Sequence, residues 1–523
     1  MSGQWQFERL YTHGEGIYRI TDQSDPQYPV GALWDALNMV YADESDNPEM
    51  MRGATRIGGT TMGGAVSGLF DYDDGTRLVA CVTDGKVYQY TSGDWAVESG
   101  ARATGNSTSA TARWNAENFY GATTADNLLV LCNGIDAPAK YNGTDVTDLG
   151  GSPPSTGNFP TEFMGRLWMA AGDVVYASAP NNCEGWTIAG GAKQMAVARG
   201  NDGPILGLRK HGIGTNESVL LVFKANSVYR IRPTLTFSAA DIAQVSSEIG
   251  LTSARTIKQA GPEGAEHLTF SSSQGLEMLS ATNTSVGVSI QNITRWPKKI
   301  ISLRNQAQMD VAWSLFNIDR RELLFYYPTG SNTIPKEGII GNFARPRKQP
   351  RWTRMDRANL TCGTMFKDSG TRRVQYVGDS AGKVYQMHIA TATAFDGSPF
   401  TGRIITPCHM QGQINFMKEY GYSFVDVQTE AGYNVEVYQI LQRRGLTSVS
   451  NRVPLEILGS ESGWGEGYWG EAVWGGISYA GERIRPPGGR RGAGLSHIIS
   501  STRWFRLNSE VIAYKIKRDS IAA

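Results

Sequence analysis

A short hairpin signal recurs seven times between residues 78 and 385. Four or five apolar or β-branched residues enter a turn built on Gly, Asp, Asn or Ser, and a second short strand, often carrying Tyr, leaves it. The clearest copy is Leu78–Val82, then Thr83-Asp84-Gly85-Lys86, then Val87–Tyr90. Others run from Leu128 through Asn133-Gly134 to Tyr141, from Arg166 through Gly172-Asp173 to Tyr176, and from Val219 through Lys224–Ser227 to Tyr229. Weaker copies lie at His267–Leu279, turning at Ser273-Gln274-Gly275, and at Glu322–Tyr327; a last strong one runs from Val374 through Asp379–Gly382 to Tyr385. Each reads as two strands about a turn that needs positive φ. Tyr88 and Tyr385 stand 297 residues apart, so the seven copies repeat about every 50 residues, close to the ~40–50 of propeller blades. The intervals between the first four tyrosines are ragged, at 53, 35 and 53 residues. The pattern predicts an all-β chain with a degenerate β-propeller over residues 61–400, of about seven blades within a range of six to eight. Stacked β-sandwiches, which also place strands every ~8–12 residues, are the alternative.

The ends differ from this middle. Residues 1–60 are polar and turn-rich, with the acidic stretch Asp43-Glu44-Ser45-Asp46, and read as an arm and the lead-in to the first blade. From residue 401 to 523 longer strand candidates take over, at Gly402–Ile414, Tyr420–Gln428, Tyr433–Leu441, Trp504–Leu507 and Val511–Ile516, which predicts a second, sandwich-like β domain. Helix is expected to be scarce, with Ser238–Val245, capped by Ser238, as the best short candidate. Composition agrees: Gly is 61 of 523 residues and charged residues are 19%, against ~7% and about 25% in average chains. Tight turns are favoured over long surface helices. A net charge of +1 excludes a global field that would draw the chain to nucleic acid or acidic membranes. The opening MSGQWQFERL has no apolar run of the kind a secretory signal needs. Five cysteines without a CxxC pair fit synthesis in a reducing cytoplasm.

Several motifs match catalytic patterns by letter but not by context. Gly378-Asp379-Ser380-Ala381-Gly382 has the form of a nucleophile elbow, which requires a helix after the serine; here the alternating Lys383–Met387 follows, so a hairpin turn is expected. Gly465, Gly467 and Gly470 match a dinucleotide fingerprint, yet they are interleaved with Trp464, Tyr468 and Trp469 and lack the strand–helix setting that fingerprint requires. Asp71-Tyr72-Asp73-Asp74-Gly75 resembles a calcium loop without its closing glutamate and reads as a turn. The six histidines (13, 211, 267, 388, 409 and 497) include no pair at metal-ligand spacing. Neither a sialidase-type Asp box nor a WD40 signature occurs, and a carboxylate pair for glycosidic chemistry would have to meet across blades. No cofactor is expected.

Two features read as interaction candidates. Arg345, Arg347, Lys348, Arg351, Arg354 and Arg357 place six cations in thirteen residues around Trp352, a composition suited to a phosphate backbone or an acidic partner, or to a solvated loop. Trp464, Trp469 and Trp474, each followed by Gly, repeat at five-residue spacing ahead of Arg483, Arg485, Arg490 and Arg491. Such residues fill sandwich cores or anchor interfaces.

Taken with the opening Asn38-Met39-Val40-Tyr41 and Met51–Gly59, the hairpin Gly165–Ser178 leading to Asn181–Trp186, the Trp-Gly series, and the close Trp504–Asn508 with Val511–Lys515, the chain resembles the β-propeller tail nozzle or hub proteins of short-tailed bacteriophages, including packaged-DNA stabilisation and tail tubular B proteins. The resemblance implies a structural virion protein without enzymatic residues. It would be made in the host cytoplasm and assembled in the tail as a ring, typically of six copies, below the head–tail adaptor. Such a ring extends the DNA channel, helps retain packaged DNA and anchors fibres or spikes. The basic segment 345–357 would then meet DNA, without sequence specificity, or the adaptor's rim. A propeller that binds or cleaves a host-surface polysaccharide, with the tryptophans as stacking platforms or an acidic pair in a central funnel, is the competing reading; a cellular protein-interaction propeller is a third.

Overall fold

The computed structural model describes residues 6–10, 13–20, 28–41, 45–109, 111–121, 127–212, 218–232, 241–261, 267–281, 288–344, 349–357, 359–367, 373–408, 416–430, 434–443, 446–449, 453–456, 477–484, 491–492 and 494–520. Strands dominate them; the α-helix is a single turn, Lys298–Ile301.

Seven four-stranded antiparallel units follow one another along the chain, five as separate sheets and two within larger ones. Six are contiguous, spanning 66–97, 115–148, 158–196, 207–246, 258–292 and 313–355. The seventh combines Leu360–Lys367, Arg373–Asp379 and Val384–Ile389 with an outer strand, Gly53–Ile57, drawn from the start of the chain. In this register Val384 pairs with Ile57, Tyr385 with Arg56 and Gln386 with Thr55. The first strand of the first blade, Val66–Tyr72, lies beside the first strands of both the second and the seventh, so the sheets close a ring. This is a seven-bladed β-propeller whose last blade is completed by an early strand.

Six of the recurring copies form the middle hairpin of a blade and Glu322–Tyr327 is one middle strand of the sixth; their side chains explain why the runs are apolar on both faces. From Arg77–Val82, Leu78, Ala80 and Val82 pack with Cys362, Tyr376 and Val384 of the seventh blade, while Val79 and Cys81 pack with Leu129 and Leu131 of the second. From Leu128–Cys132 the alternate residues Val130 and Cys132 meet Leu167 and Met169 of the third. Trp168 and Ala170 then meet Leu220 and Val222 of the fourth, and Leu221 and Phe223 meet Leu268 and Phe270 of the fifth. A strand buried on both faces needs no polar alternation.

The repeated tyrosine has a local partner. In the first blade the Tyr88 hydroxyl donates to Asp84 Oδ2 at 2.7 Å while Asp84 Oδ1 accepts the Lys86 N–H. In the seventh, Tyr385 donates to Asp379 Oδ2 at 2.9 Å and Asp379 Oδ1 accepts the N–H groups of Ala381 and Lys383. The turn carboxylate thus ties both strands of its hairpin. Gly85 has φ +79° there, and a Cβ would sit 2.5 Å from the Asn106 carbonyl. Ser380 lies in this hairpin turn with a strand following, not in a nucleophile elbow.

The helix expected at Ser238–Val245 is not formed where it is described. Ile242–Ser246 is the outer strand of the fourth blade, pairing Ile231 with Ile242 and Tyr229 with Gln244; blade pairing overrides a weak local helix preference.

Two further sheets make the sandwich-like domain. One is ordered Ile477–Ile484, Phe416–Glu430, Phe505–Ser520, Pro48–Met50 and Met39–Tyr41, with Gln6–Leu10 also paired to Phe505–Ser520. The other continues the sixth blade: its outer strand Arg351–Met355 pairs with Asp35–Leu37, then Gly402–Ile405, Gly494–Ser501 and Asn434–Arg443 follow in one sheet. Val425, Val427, Val437, Ile499, Phe505 and Leu507 from the two sheets share a core with the fifth to seventh blades. Arm, ring and sandwich are therefore interlocked, and the expected strands at Trp504–Leu507 and Val511–Ile516 fall in a single strand, Phe505–Ser520, that Trp504 precedes.

Candidate functional site in the axial cavity

The first strands of the blades run side by side around the axis and leave a cavity of about 280 Å³ between them. All seven blades line it, including Gly68, Asn115, Pro160, Leu208, Lys258, Trp313 and Gly363. Its wall also carries five charged side chains: Asp71, Glu117, Arg209, Arg255 and Lys258.

Arg209 of the fourth blade reaches Glu117 of the second, Nη1 to Oε2 at 3.0 Å. Arg255 sits on a short 3-10 turn, Ala254–Thr256, that leads into the fifth blade. Its guanidinium donates to the carbonyls of Ser67, Thr361 and Val311 at 3.3, 3.1 and 2.5 Å. It thereby crosses the axis to the first and seventh blades, near where their inner strands begin. Burial, reinforced by Arg113, lowers its guanidinium to about 10. Burial likewise lowers the Lys258 ammonium to about 8, with Arg209 and Arg255 adding to the fall and Glu117 opposing it. Asp71 stands further along its strand. Its Oδ1 accepts the Gly75 N–H at 2.7 Å within the turn that the acidic run forms, and burial raises its carboxyl to about 6.

The basic segment has a different fate from the one its composition suggested. Arg345, Pro346, Arg347 and Lys348 lie outside the described residues, as do Trp464, Trp469 and Trp474. Arg351–Met355 is a strand, not part of a loop. Arg351 is fully buried: its guanidinium donates to the Ser45 carbonyl at 2.6 Å and Asn342 Oδ1 at 2.7 Å, and lies 4.5 Å over the Tyr41 ring. Arg354 pairs with buried Asp35, which Arg403 also reaches, at 3.2 and 3.1 Å. Arg357 rests between the rings of Phe395 and Phe400. Arg351 and Arg354 bind the arm to the sixth blade, and the charge of Arg351 is buried.

A second constellation was invisible in the spacing of histidines. Within the sandwich the Ser423 hydroxyl is 2.9 Å from His497 Nε2, and His497 Nδ1 is 2.8 Å from Glu510 Oε1; His13 from the arm lies 3.5 Å from Glu510 Oε2. The order of atoms is that of a nucleophile, base and carboxylate. Yet Ser423, His497 and Glu510 are all 0% exposed, and the Gln439 amide donates to the same hydroxyl, so the serine has no face open to a substrate. The group is a buried polar network joining arm and sandwich. Among the described residues no cluster of three His, Cys, Asp or Glu is arranged to hold a metal ion, the five cysteines are buried and form no disulfide, and no helix is long and apolar enough to cross a membrane.

No family profile matches the sequence, and no curated protein matches it. Among solved structures the chain is similar to BBS1N in complex with ARL6DN. A lead-soaked crystal gives a TM-score of 0.41 at 11% identity over 66% of this chain and 98% of that one. A mercury-soaked crystal gives 0.41 at 10% identity over 68% and 99%. Strand pairing within the chain, not this distant likeness, is what establishes the propeller.

Proposed function

We propose that this chain is a structural virion protein that forms the tail nozzle ring of a short-tailed phage. It would extend the DNA channel below a head–tail adaptor and carry fibres or spikes. The observation that carries the reading is mechanical. An early strand completes the seventh blade, and Gln6–Leu10 pairs along Phe505–Ser520, so force applied to the body is borne by several strands at once. Contacts for neighbouring copies or the adaptor have a candidate on one face of the disc. There the exposed side chains Tyr120 and Met164 cap the inner strands of the second and third blades, and Ile188 lies in the connection leaving that same end of the third. A closed ring requires such heterologous contacts. In this reading DNA runs along the axis of the assembled ring. The propeller's own axis is bridged by Arg255 and by the Arg209–Glu117 pair and is far too narrow for a duplex. Single-particle electron microscopy of the purified protein with its virion neighbours tests the proposal: six-fold rings around an open axis are expected, and isolated propellers that never join a ring would reject it.

One observation favours the polysaccharide reading as a second. Asp71, raised to about 6 by burial, and Glu117, held beside Arg209, line one cavity from adjacent inner strands. Two carboxyls in unlike environments are the raw material of glycosidic acid–base chemistry. Release of reducing ends from host capsule or lipopolysaccharide, lost in Asp71→Asn, is the outcome that would select it.

A further inference from the structure

The charges around the axial cavity do not balance locally. Arg209 has Glu117, but its Nε is buried without a hydrogen-bond partner. Arg255 is held by three backbone carbonyls, which carry no net charge, and its Nε is also buried and unpartnered. The Lys258 ammonium, lining the same space, makes no hydrogen bond or ion pair with any described residue, although its backbone is paired in the blade. The remaining carboxylate, Asp71, is engaged with its own turn at Gly75 and is not among the groups acting on Lys258. All three cations are partly buried and open onto this space; water there satisfies donors but does not offset the excess positive charge, and a partly desolvated charge gains from a counter-ion. The sign of the excess rules out a cation as the natural occupant.

The wall also selects for shape. Trp114, Phe159, Leu208 and Ile257 supply apolar surface beside the three cations. A cavity of about 280 Å³ is near the lower end of ligand pockets, at ~300 Å³, so it suits one small molecule with a carbon body and an acidic group. Guanidinium and ammonium donors match carboxylate and phosphate oxygens alike.

We propose that the axial cavity is a binding site for a small organic oxyanion, a carboxylate or phosphate ester of up to monosaccharide size, with Lys258 as its principal counter-charge and Arg209 and Arg255 completing the cradle. The site does not depend on ring assembly, and it shares its cavity with Asp71 and Glu117. Lys258 reports on it most directly, because the two arginines also hold the ring together.

The full-length protein is titrated calorimetrically at pH 7 with malonate, glucuronate and glucose 6-phosphate, and with neutral glucose as the control. Saturable binding of at least one anion is expected, with none for glucose. Glucuronate or malonate binding without glucose 6-phosphate would identify a carboxylate site, and the reverse a phosphate site. Lys258→Met should weaken the bound anion by about tenfold or more, and Lys258→Arg, which keeps the charge, should retain most of the affinity. A melting curve for each variant confirms folding, and Lys86→Gln on the surface should leave binding unchanged. Failure of all three anions to bind at millimolar concentration overturns the proposal, as does a folded Lys258→Met protein that binds as tightly as the parent.

Discussion

Between blades, the middle strands meet across apolar seams: Val79 and Cys81 turn to one neighbour, Leu78, Ala80 and Val82 to the other. Around the axis, the inner strands of the same blades present Glu117, Arg209 and Lys258 to open space. The difference is geometric. Adjacent middle strands approach closely enough for side chains to interdigitate, so burial and packing density decide which residues fit. Seven inner strands arranged in a circle enclose a hole that side chains do not fill, so polar groups persist there and their charge is exposed to whatever enters. Stability therefore belongs to the seams and binding chemistry to the axis.

The sharpest way to break that division is in a seam. Trp168 is fully buried between the third and fourth blades, and its indole N–H donates to the Phe163 carbonyl at 2.9 Å. Trp168→Ala should cost about 3–5 kcal/mol, read as a lower denaturant midpoint, while anion binding at the axis persists wherever the protein remains folded. An undiminished midpoint would mean that the seams do not carry the ring.

A smaller effect is expected where a seam itself contains a charge. Lys224 is fully buried and donates to Asp173 Oδ1 at 3.1 Å and to the carbonyls of Ala198 and Asn201 at 3.0 and 2.8 Å, stitching the third blade to the fourth. Lys224→Met takes the ammonium from both carbonyls, of which Ala198 keeps the Asn201 N–H, and strands no deeply buried charge, because Asp173 retains solvent exposure. A loss of about 1–3 kcal/mol follows. A neutral result would show that methionine packs the seam as well as the lysine bonds it.

The same contrast explains what the sequence made legible. The hairpins were visible because each is local: a run buried on both faces and a turn, joined in the first and seventh by a tyrosine returning to the turn carboxylate. Ring closure was not, because Gly53–Ile57 pairs with Val384–Ile389, more than three hundred residues away. Arg351 and Arg354 looked like part of a basic loop because their partners, Ser45, Asp46 and Asp35, are equally remote. The alternation Arg351-Trp352-Thr353-Arg354-Met355 was the available signal for a strand. The cavity brings Glu117, Arg209 and Lys258 from three different blades, so no spacing along the chain could have joined them. His13, Ser423, His497 and Glu510 meet only because the arm and three sandwich strands converge.

The axis is isolated by its pH dependence. An ordinary lysine titrates near 10.5, and in the folded protein Lys258 falls to about 8, through burial first and then Arg209 and Arg255, against Glu117. Below pH 8 the ammonium is charged in both folded and unfolded chains, and the folded state bears the full penalty. Between about 8 and 10.5 the folded chain has released that proton while the unfolded chain still holds it, so this group makes stability rise with pH. Other groups act in the opposite direction over part of the range: the buried thiol of Cys362 is raised to about 12 and the Tyr88 hydroxyl to about 12, so both favour the folded state less as the unfolded chain ionises. The absolute curve mixes these contributions, whereas the difference between parent and Lys258→Met removes them. Without added anion, Lys258→Met should be the more stable protein at pH 7, and its advantage should shrink steadily towards pH 10. A saturating oxyanion should reverse the order at pH 7 by stabilising only the parent. A difference that stays flat from pH 7 to 10 would place the Lys258 ammonium in ordinary solvent and remove the axial charge imbalance as the source of binding.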